Sequence, residues 1–338
     1  MQEHAGNLDI KMTSHMATSQ SRIDAVVPFH VEALDTRGRA ILLGDTLDKI
    51  LGRHDYPEPV ARLLGEMTVL TVLLGTSLKF EGKFIAQAQT EGPVSLLVVD
   101  FTTPDAMRAY ARFDAKAVAK QIDEGRDSPE DLLGKGLLAL TVDQGQYMNR
   151  YQGIVALDGA SLEEIAQNYF RQSEQLPTKV RLAVAQLRER NAEGQLVSSW
   201  RAGGLLAQFL PESEERIRQR DLHPGDAPEG VEIDIGADDD DAWLETEALV
   251  GTIDDDELVD EMLGTHGLLF RLFNQRGVRV YEPTEVRDVC SCNDEKLVNI
   301  LSSMTAEELE EATQDGKITV KCEFCSTVRE YDPKRFET

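Results

Sequence analysis

Cys290-Ser291-Cys292 and Cys322-Glu323-Phe324-Cys325, separated by twenty-nine cysteine-free residues, decide how the C-terminal part of this chain is read. All four cysteines of the 338-residue sequence lie here. Four thiolates arriving as two short pairs match the needs of a tetrahedral Zn²⁺ site, because each pair supplies two ligands from one bend and the intervening segment brings the bends together. Unrelated free thiols would be scattered, and the sequence before Cys290 has none.

The two pairs differ. A Cys-x-x-Cys turn serves in structural zinc knuckles and in redox motifs, whereas Cys-x-Cys puts both sulfurs on a tighter bend. The spacing speaks for a metal and is silent on a switch: it suits a purely structural zinc module and a zinc site whose thiolates are meant to be oxidised.

The residues between the pairs predict a small module. Asn293 caps a helix carrying Leu297, Ile300 and Leu301 on one face, and Thr305 with Glu308 has capping-box spacing for a second helix carrying Leu309. Asp315-Gly316 reads as a turn, Lys317 to Lys321 alternates like a strand, and Thr327 to Tyr331 returns beside it. So few apolar residues make a poor core. A domain of about fifty residues needs a staple, and bound zinc supplies on the order of 10 kcal/mol of folding free energy.

Upstream lies an acidic linker, 212–283. From Glu212 to Glu261 twenty Asp and Glu stand against three Arg, which is about two-thirds of the net charge of −26. Its first half, Glu212 to Asp241, contains Pro224, Pro228 and the Asp238–Asp241 run and is expected to be loosely structured. The second half carries Trp243, Leu244, Leu249, Val250, Leu258, Val259, Met262, Leu263, Leu268, Leu269, Leu272 and Phe273 among the acids, an amphipathic pattern able to pack against a body. Helices this short are marginal alone, and the carboxylates of Asp254 to Glu257 repel one another. Such a segment stays folded only while something covers it.

Residues 22–211 predict one α+β domain. Pro59 suits a first helical turn, and Val60, Leu63, Leu64, Met67, Thr71, Leu74 and Leu78 follow helical spacing. Strands are expected over Phe84–Thr90, Val94–Phe101, Met107–Phe113, Leu137–Val142, Tyr151–Leu157, Lys179–Gln186 and Trp200–Leu210, with a helix from Ser161 to Gln172. Consecutive strands without intervening helices argue for antiparallel pairing. Phosphate-binding, nucleophile-elbow and His-Glu-x-x-His motifs are absent from the sequence, so no catalytic residue is assigned. His54 reads as a capping or packing residue rather than a base.

The first residues, 1–21, are polar and predict a disordered tail without a secretory signal; the most apolar run, Val69 to Leu74, is too short to span a membrane. Clustered cysteines then point to a reducing cytoplasm. The acidic field weighs against nucleic acid as a partner.

Several segments together resemble the heat shock protein 33 family of redox-regulated molecular chaperones. They are His54-Asp55-Tyr56-Pro57, Leu63-Leu64-Gly65-Glu66, Leu78-Lys79-Phe80-Glu81-Gly82, Gly92-Pro93-Val94, Tyr151-Gln152-Gly153-Ile154-Val155, Ser173-Glu174-Gln175-Leu176-Pro177-Thr178, Leu269-Phe270-Arg271-Leu272-Phe273 and the two cysteine pairs. The resemblance implies an ATP-independent holdase with no enzymatic activity, inactive when reduced and holding one Zn²⁺ per chain through Cys290, Cys292, Cys322 and Cys325. It implies that oxidation forms Cys290–Cys292 and Cys322–Cys325 disulfides, releases zinc, and yields a homodimer that binds unfolding proteins and passes them to ATP-dependent foldases. The candidate client-binding residues are the linker's Trp243, Leu244, Leu249, Leu258, Met262, Leu263, Leu269 and Phe273. The zinc-binding redox-switch domain is then 284–338.

Two other classes share the cysteines. A thiol-disulfide oxidoreductase would exchange through Cys322 and Cys325, but that pair should then open a helix in a βαβ setting. A structural zinc-ribbon module for nucleic acid wants basic residues near the knuckle. Lys296, Lys317, Lys321 and Arg329 are there, yet in so acidic a chain they better serve to soften the charge of a zinc-thiolate centre.

Overall fold

The computed structural model describes residues 22–78, 80–145, 150–191, 193–210 and 241–336. Residues 1–21, expected to be a disordered tail, and residues 211–240, nearly all in the part of the linker expected to be loosely structured and including the acids at 238–240, lie outside the described residues.

In chain order, strands β1 (Ala25–Val31) and β2 (Thr36–Leu43) lead into helices α1 (Asp45–Leu51) and α2 (Glu58–Ser77). The meander β3 (Lys83–Thr90), β4 (Val94–Thr102) and β5 (Ala106–Phe113) precedes helices α3 (Ala115–Asp123) and α4 (Pro129–Leu133). Strands β6 (Lys135–Asp143) and β7 (Tyr151–Asp158), helix α5 (Leu162–Tyr169) and the long hairpin β8 (Thr178–Arg190) and β9 (Leu196–Phe209) complete the body. The expected helix from Ser161 is capped there as a capping box, but beyond Tyr169 it continues only as a π-helical turn. The linker gives helices α6 (Asp241–Gly251), α7 (Asp255–Val259) and α8 (Gly264–Phe273). Then come three two-residue strands, β10 (Arg279–Val280), β11 (Thr284–Glu285) and β12 (Arg287–Asp288). The C-terminal module holds α9 (Asp294–Ser302), α10 (Ala306–Ala312), β13 (Thr313–Gln314), β14 (Lys317–Lys321) and β15 (Val328–Tyr331).

The architecture is α+β, as the pattern predicts. One sheet runs β10-β1-β2-β9-β8 with β11 also on β1, a second runs β12-β5-β4-β3-β6-β7, and a small third joins β13-β14-β15. Neighbours in the first two sheets pair antiparallel, apart from β12 beside β5, which is parallel. Helix α2 lies between the two large sheets and packs against strands of both. Its length and mean hydropathy of 1.3 would pass for a membrane span, yet 78% of that window is buried inside the protein. The most apolar run in the sequence, Val69 to Leu74, is much shorter than this window because Glu66, Thr68 and Gly75 flank it. Thr68 and Thr71 return their hydroxyls to helix carbonyls, Leu64 O at 2.7 Å and Met67 O at 2.6 Å, and so enter the core without an unpaired donor.

Strand alternation gives the first sheet two apolar faces. Val26, Ile41, Leu182 and Leu206 face α2, while Val27, Phe29, Val31, Ala40, Ala183, Leu205 and Ala207 face the other way. The linker covers that second face: Val250, Ile253, Leu258, Leu268, Leu269, Leu272 and Phe273 are buried on it, and Phe273 stacks on Phe29 with ring centres 5.7 Å apart. Three of the four Asp254–Glu257 carboxylates, expected to repel, find partners. Asp254 and Glu257 form the capping box of α7, Asp255 takes Arg181 of β8 at 2.7 Å, and Glu257 takes Arg271 at 2.6 Å. Docking is closest at Gly203 of β9, where a Cβ would stand 1.8 Å from the Leu258 carbonyl oxygen.

Candidate metal centre

Strand β12 places the first cysteine pair. It lies beside β5, and the amide of the next residue, Val289, donates to Met107 O at 3.0 Å, so Cys290 leaves the body at a fixed point. Arg53 grips Asp288 through both guanidinium nitrogens, Nη1 at 2.9 Å. The second pair sits in the turn between β14 and β15. Cys322 N donates to Thr327 O at 3.0 Å, Ser326 N donates to Cys322 O at 2.9 Å, and Ser326 takes φ 56° to close the bend. A Cys-x-x-Cys on a hairpin turn lacks the helix N-terminus on which thioredoxin-like exchange depends.

The four sulfurs converge to within 4.8 Å of one another. Sγ of Cys290 is 3.7 Å from that of Cys322, and Sγ of Cys292 is 3.4 Å from that of Cys325. A tetrahedron with metal–sulfur bonds of about 2.3 Å has edges of about 3.8 Å, so four half-buried thiols at these separations fit a closed four-coordinate site. Burial opposes ionisation of Cys325, but hydrogen bonds from Thr327 and the neighbouring thiols hold it down to about 6. Burial pushes Cys292 up to about 12 in spite of Arg329, whose Nη1 is 3.6 Å from its sulfur. A divalent cation is what allows all four thiols to ionise together.

The module around the site has the thin core its sequence implies: Leu301, Leu309, Ile318, Tyr331 and Phe336. Asn293 caps α9 and Thr305 with Glu308 forms the capping box of α10, as expected. Ile300, expected on the inner face, is 59% exposed. Leu301 and the half-buried Leu297 supply the contact instead, because two turns of helix present too narrow a stripe for all three. Phe324 points out of the knuckle onto the body, under the guanidinium of Arg108 at 3.9 Å and beside Tyr110 at 6.2 Å. His54 packs between Tyr56 and Tyr110 at 5.0 and 5.6 Å, so its packing role holds. These body partners of the knuckle, Arg108 and Tyr110, have no local sequence signal; only Phe324, an aromatic inside the Cys-x-x-Cys turn, could have raised the question.

Of the eight linker residues singled out for clients, Trp243, Leu258, Leu269 and Phe273 are buried, Trp243 lying 5.9 Å from Phe209. Leu249 and Leu263 are half-buried against the same cluster, whereas Leu244 is 44% and Met262 94% exposed. The described part of the linker, from Asp241, thus holds most of its large apolar residues against the body.

Known proteins are similar to this chain over most of its length. Residues 24–332 match the family model described as Hsp33 protein. The 33 kDa chaperonin of Caulobacter vibrioides (strain NA1000 / CB15N) is 43% identical over 313 residues, covering 92% of this chain and 95% of its own. That of Pseudomonas fluorescens (strain SBW25) is 36% identical over 296 residues, covering 86% and 85%. A crystal structure of the 33 kDa chaperonin of Thermotoga maritima superposes with a TM-score of 0.68 over 93% of this chain and 96% of that one; at 18% identity this likeness concerns the fold. The four-cysteine centre, the helical cover on the first sheet and these matches together make the chain a member of the Hsp33 family of chaperones.

Proposed function

We propose that this chain is a redox-regulated, ATP-independent holdase whose switch is a zinc centre formed by Cys290, Cys292, Cys322 and Cys325. The observation that carries the reading is the convergence of the four sulfurs within 4.8 Å, from two loops of which one leaves the body and the other closes the module. Zinc, when bound, keeps the four sulfurs as thiolates and joins the two loops. Thiolates are also the oxidisable form of cysteine.

On oxidation, four thiolates give up four electrons to two equivalents of a peroxide, which take up four protons and leave as water, while disulfides form within the pairs Cys290–Cys292 and Cys322–Cys325. Sulfurs meet across the loops, at 3.7 Å and 3.4 Å, so closing each loop on itself undoes the link between them. The module, left with a five-residue core, loses its main stabilisation. Helices α6 to α8 then loosen from the first sheet, and apolar residues such as Leu258, Leu269 and Phe273 become available to unfolding proteins. The acidic linker keeps such complexes soluble. On this reading the active form is a cytoplasmic homodimer that hands clients to ATP-dependent foldases and catalyses no reaction itself. The units are a body at 22–211, a linker at 212–283 and a switch domain at 284–338. Zinc stoichiometry and disulfide mapping by mass spectrometry test this. One zinc per reduced chain, none after peroxide and the two within-pair disulfides are expected; zinc retained under oxidant would make the module purely structural.

A further inference from the structure

One side chain of the body, Arg108, touches a buried carboxylate, the cysteine centre and the knuckle at once. Arg108 of β5 stands directly across from Asp100 of β4. Its Nε donates to the Asp100 carboxylate at 2.8 Å, its Nη1 lies 3.9 Å from Cys290 Sγ, and its guanidinium covers the Phe324 ring. Asp100 is only 6% exposed, so this ion pair sits where water screens little. A cross-strand partner for Asp100 needs only a positive charge. A planar guanidinium spends that charge in three directions at once, on carboxylate, sulfur and aromatic face, which a lysine ammonium does poorly. The rest of the seat is slight: Tyr110 beside Phe324, the Ser326 hydroxyl donating to Arg53 O at 3.2 Å, and an exposed Arg112–Glu323 pair.

We propose that Arg108 is the positioning residue that docks the Cys322/Cys325 knuckle on the body and makes that docking depend on the charge of the cysteine centre. The proposal rests on the zinc-thiolate reading above. Four thiolates around one divalent cation leave a net dianion beside the guanidinium, whereas two disulfides carry no charge. In the reduced state Arg108 is held between Asp100 and anionic sulfur with Phe324 stacked beneath it. Once the sulfurs are neutral, the guanidinium loses its anionic partner at Cys290 and keeps only Asp100 and the Phe324 ring, so the seat that ties the cysteine centre and its knuckle to β5 weakens.

The test uses full-length, reduced, zinc-loaded protein and three variants: Arg108→Met, Arg108→Lys and Phe324→Leu. Zinc per chain is measured with a chelator, and hydrogen exchange is followed over residues 322–326. Arg108→Met and Phe324→Leu are expected to keep their zinc while exchange over 322–326 rises about tenfold or more, the factor that about 1.4 kcal/mol of lost docking carries. Arg108→Lys, which keeps the charge without the planar stack, is expected between wild type and Arg108→Met. Zinc-loaded Arg108→Met and Phe324→Leu that both stay as protected as wild type would overturn the proposal. Should Arg108→Met bind no zinc, Phe324→Leu decides, since it leaves all four cysteines and Asp100 in place: faster exchange supports the seat, and wild-type protection overturns it. A wild-type chain that binds no zinc would instead overturn the metal reading itself.

Discussion

Alanine at Gly203 separates the linker from the body without touching a cysteine. The new methyl would stand 1.8 Å from the Leu258 carbonyl oxygen and 2.5 Å from its carbonyl carbon. Both atoms are backbone, in a helix with its own capping box, so no side-chain rotation relieves the clash. To reach ordinary contact α7 must retreat by roughly 1.5 Å, more than the gap of about 0.5–1 Å that already forfeits a quarter to a half of the dispersion attraction. Overpacking of this kind costs about 1–3 kcal/mol. Placed on the docked state alone, it raises the undocked fraction by about five- to 150-fold. The neighbouring residue supplies a control: a Cβ on Gly204 faces the opposite way and meets Val69 Cγ1 of α2 at 2.4 Å, so Gly204→Ala strains the body's core. The assay is hydrogen exchange over residues 241–273 in reduced, zinc-loaded protein, alongside suppression of client aggregation. Gly203→Ala should expose the linker and protect clients without oxidant, with zinc retained, whereas Gly204→Ala should lower global stability. Unchanged linker protection in Gly203→Ala, or identical behaviour of the two variants, would refute the reasoning.

Cys322→Ser leaves three ligands and should abolish tight zinc binding and the exchange protection of Ile318 and Tyr331; a zinc titration showing wild-type affinity would argue for a site with an open position. Phe273→Ala empties a fully buried site stacked on Phe29 and should cost about 3–5 kcal/mol, seen as faster exchange of α8 rather than as loss of the metal. Burial, with the Glu163 and Glu130 carboxylates adding to it, raises Glu66 of α2 from its ordinary 4.5 to about 8. The folded state then holds a proton that the unfolded state releases, so stability falls as pH rises from about 4.5 to about 8, by on the order of a few kcal/mol. Glu66→Gln should flatten that slope in urea midpoints taken across the window, and parallel curves for the two proteins would count against the assignment.

The cysteine centre was legible because the geometry of metal ligation constrains sequence spacing directly, and the caps at Asn293 and Thr305 because capping is local. Strands β3 to β9 announced themselves by alternating or, in β4, continuous apolar runs. The strand over Ala25–Val31 did not, since Pro28 in its middle argues against a sheet interior. The structure places Pro28 between two short partners, β11 on Ala25 and Val26 and β10 on Phe29 and His30, and uses its carbonyl to accept from Tyr281 N at 2.9 Å. The linker pattern predicts which residues are apolar, but burial of Trp243 and Phe273 beside exposure of Met262 is a property of the surface they meet. Arg108 and Gly203 were invisible for the same reason: each matters through a partner about 50 to 180 residues away.

The most direct test of the switch follows zinc release with a chromogenic chelator and aggregation of a thermally unfolding client in one sample, before and after hydrogen peroxide at elevated temperature. The account predicts zinc release together with protection of the client, both reversed by reductant when zinc is resupplied. Zinc released without any protection, or protection gained while zinc stays bound, would contradict it.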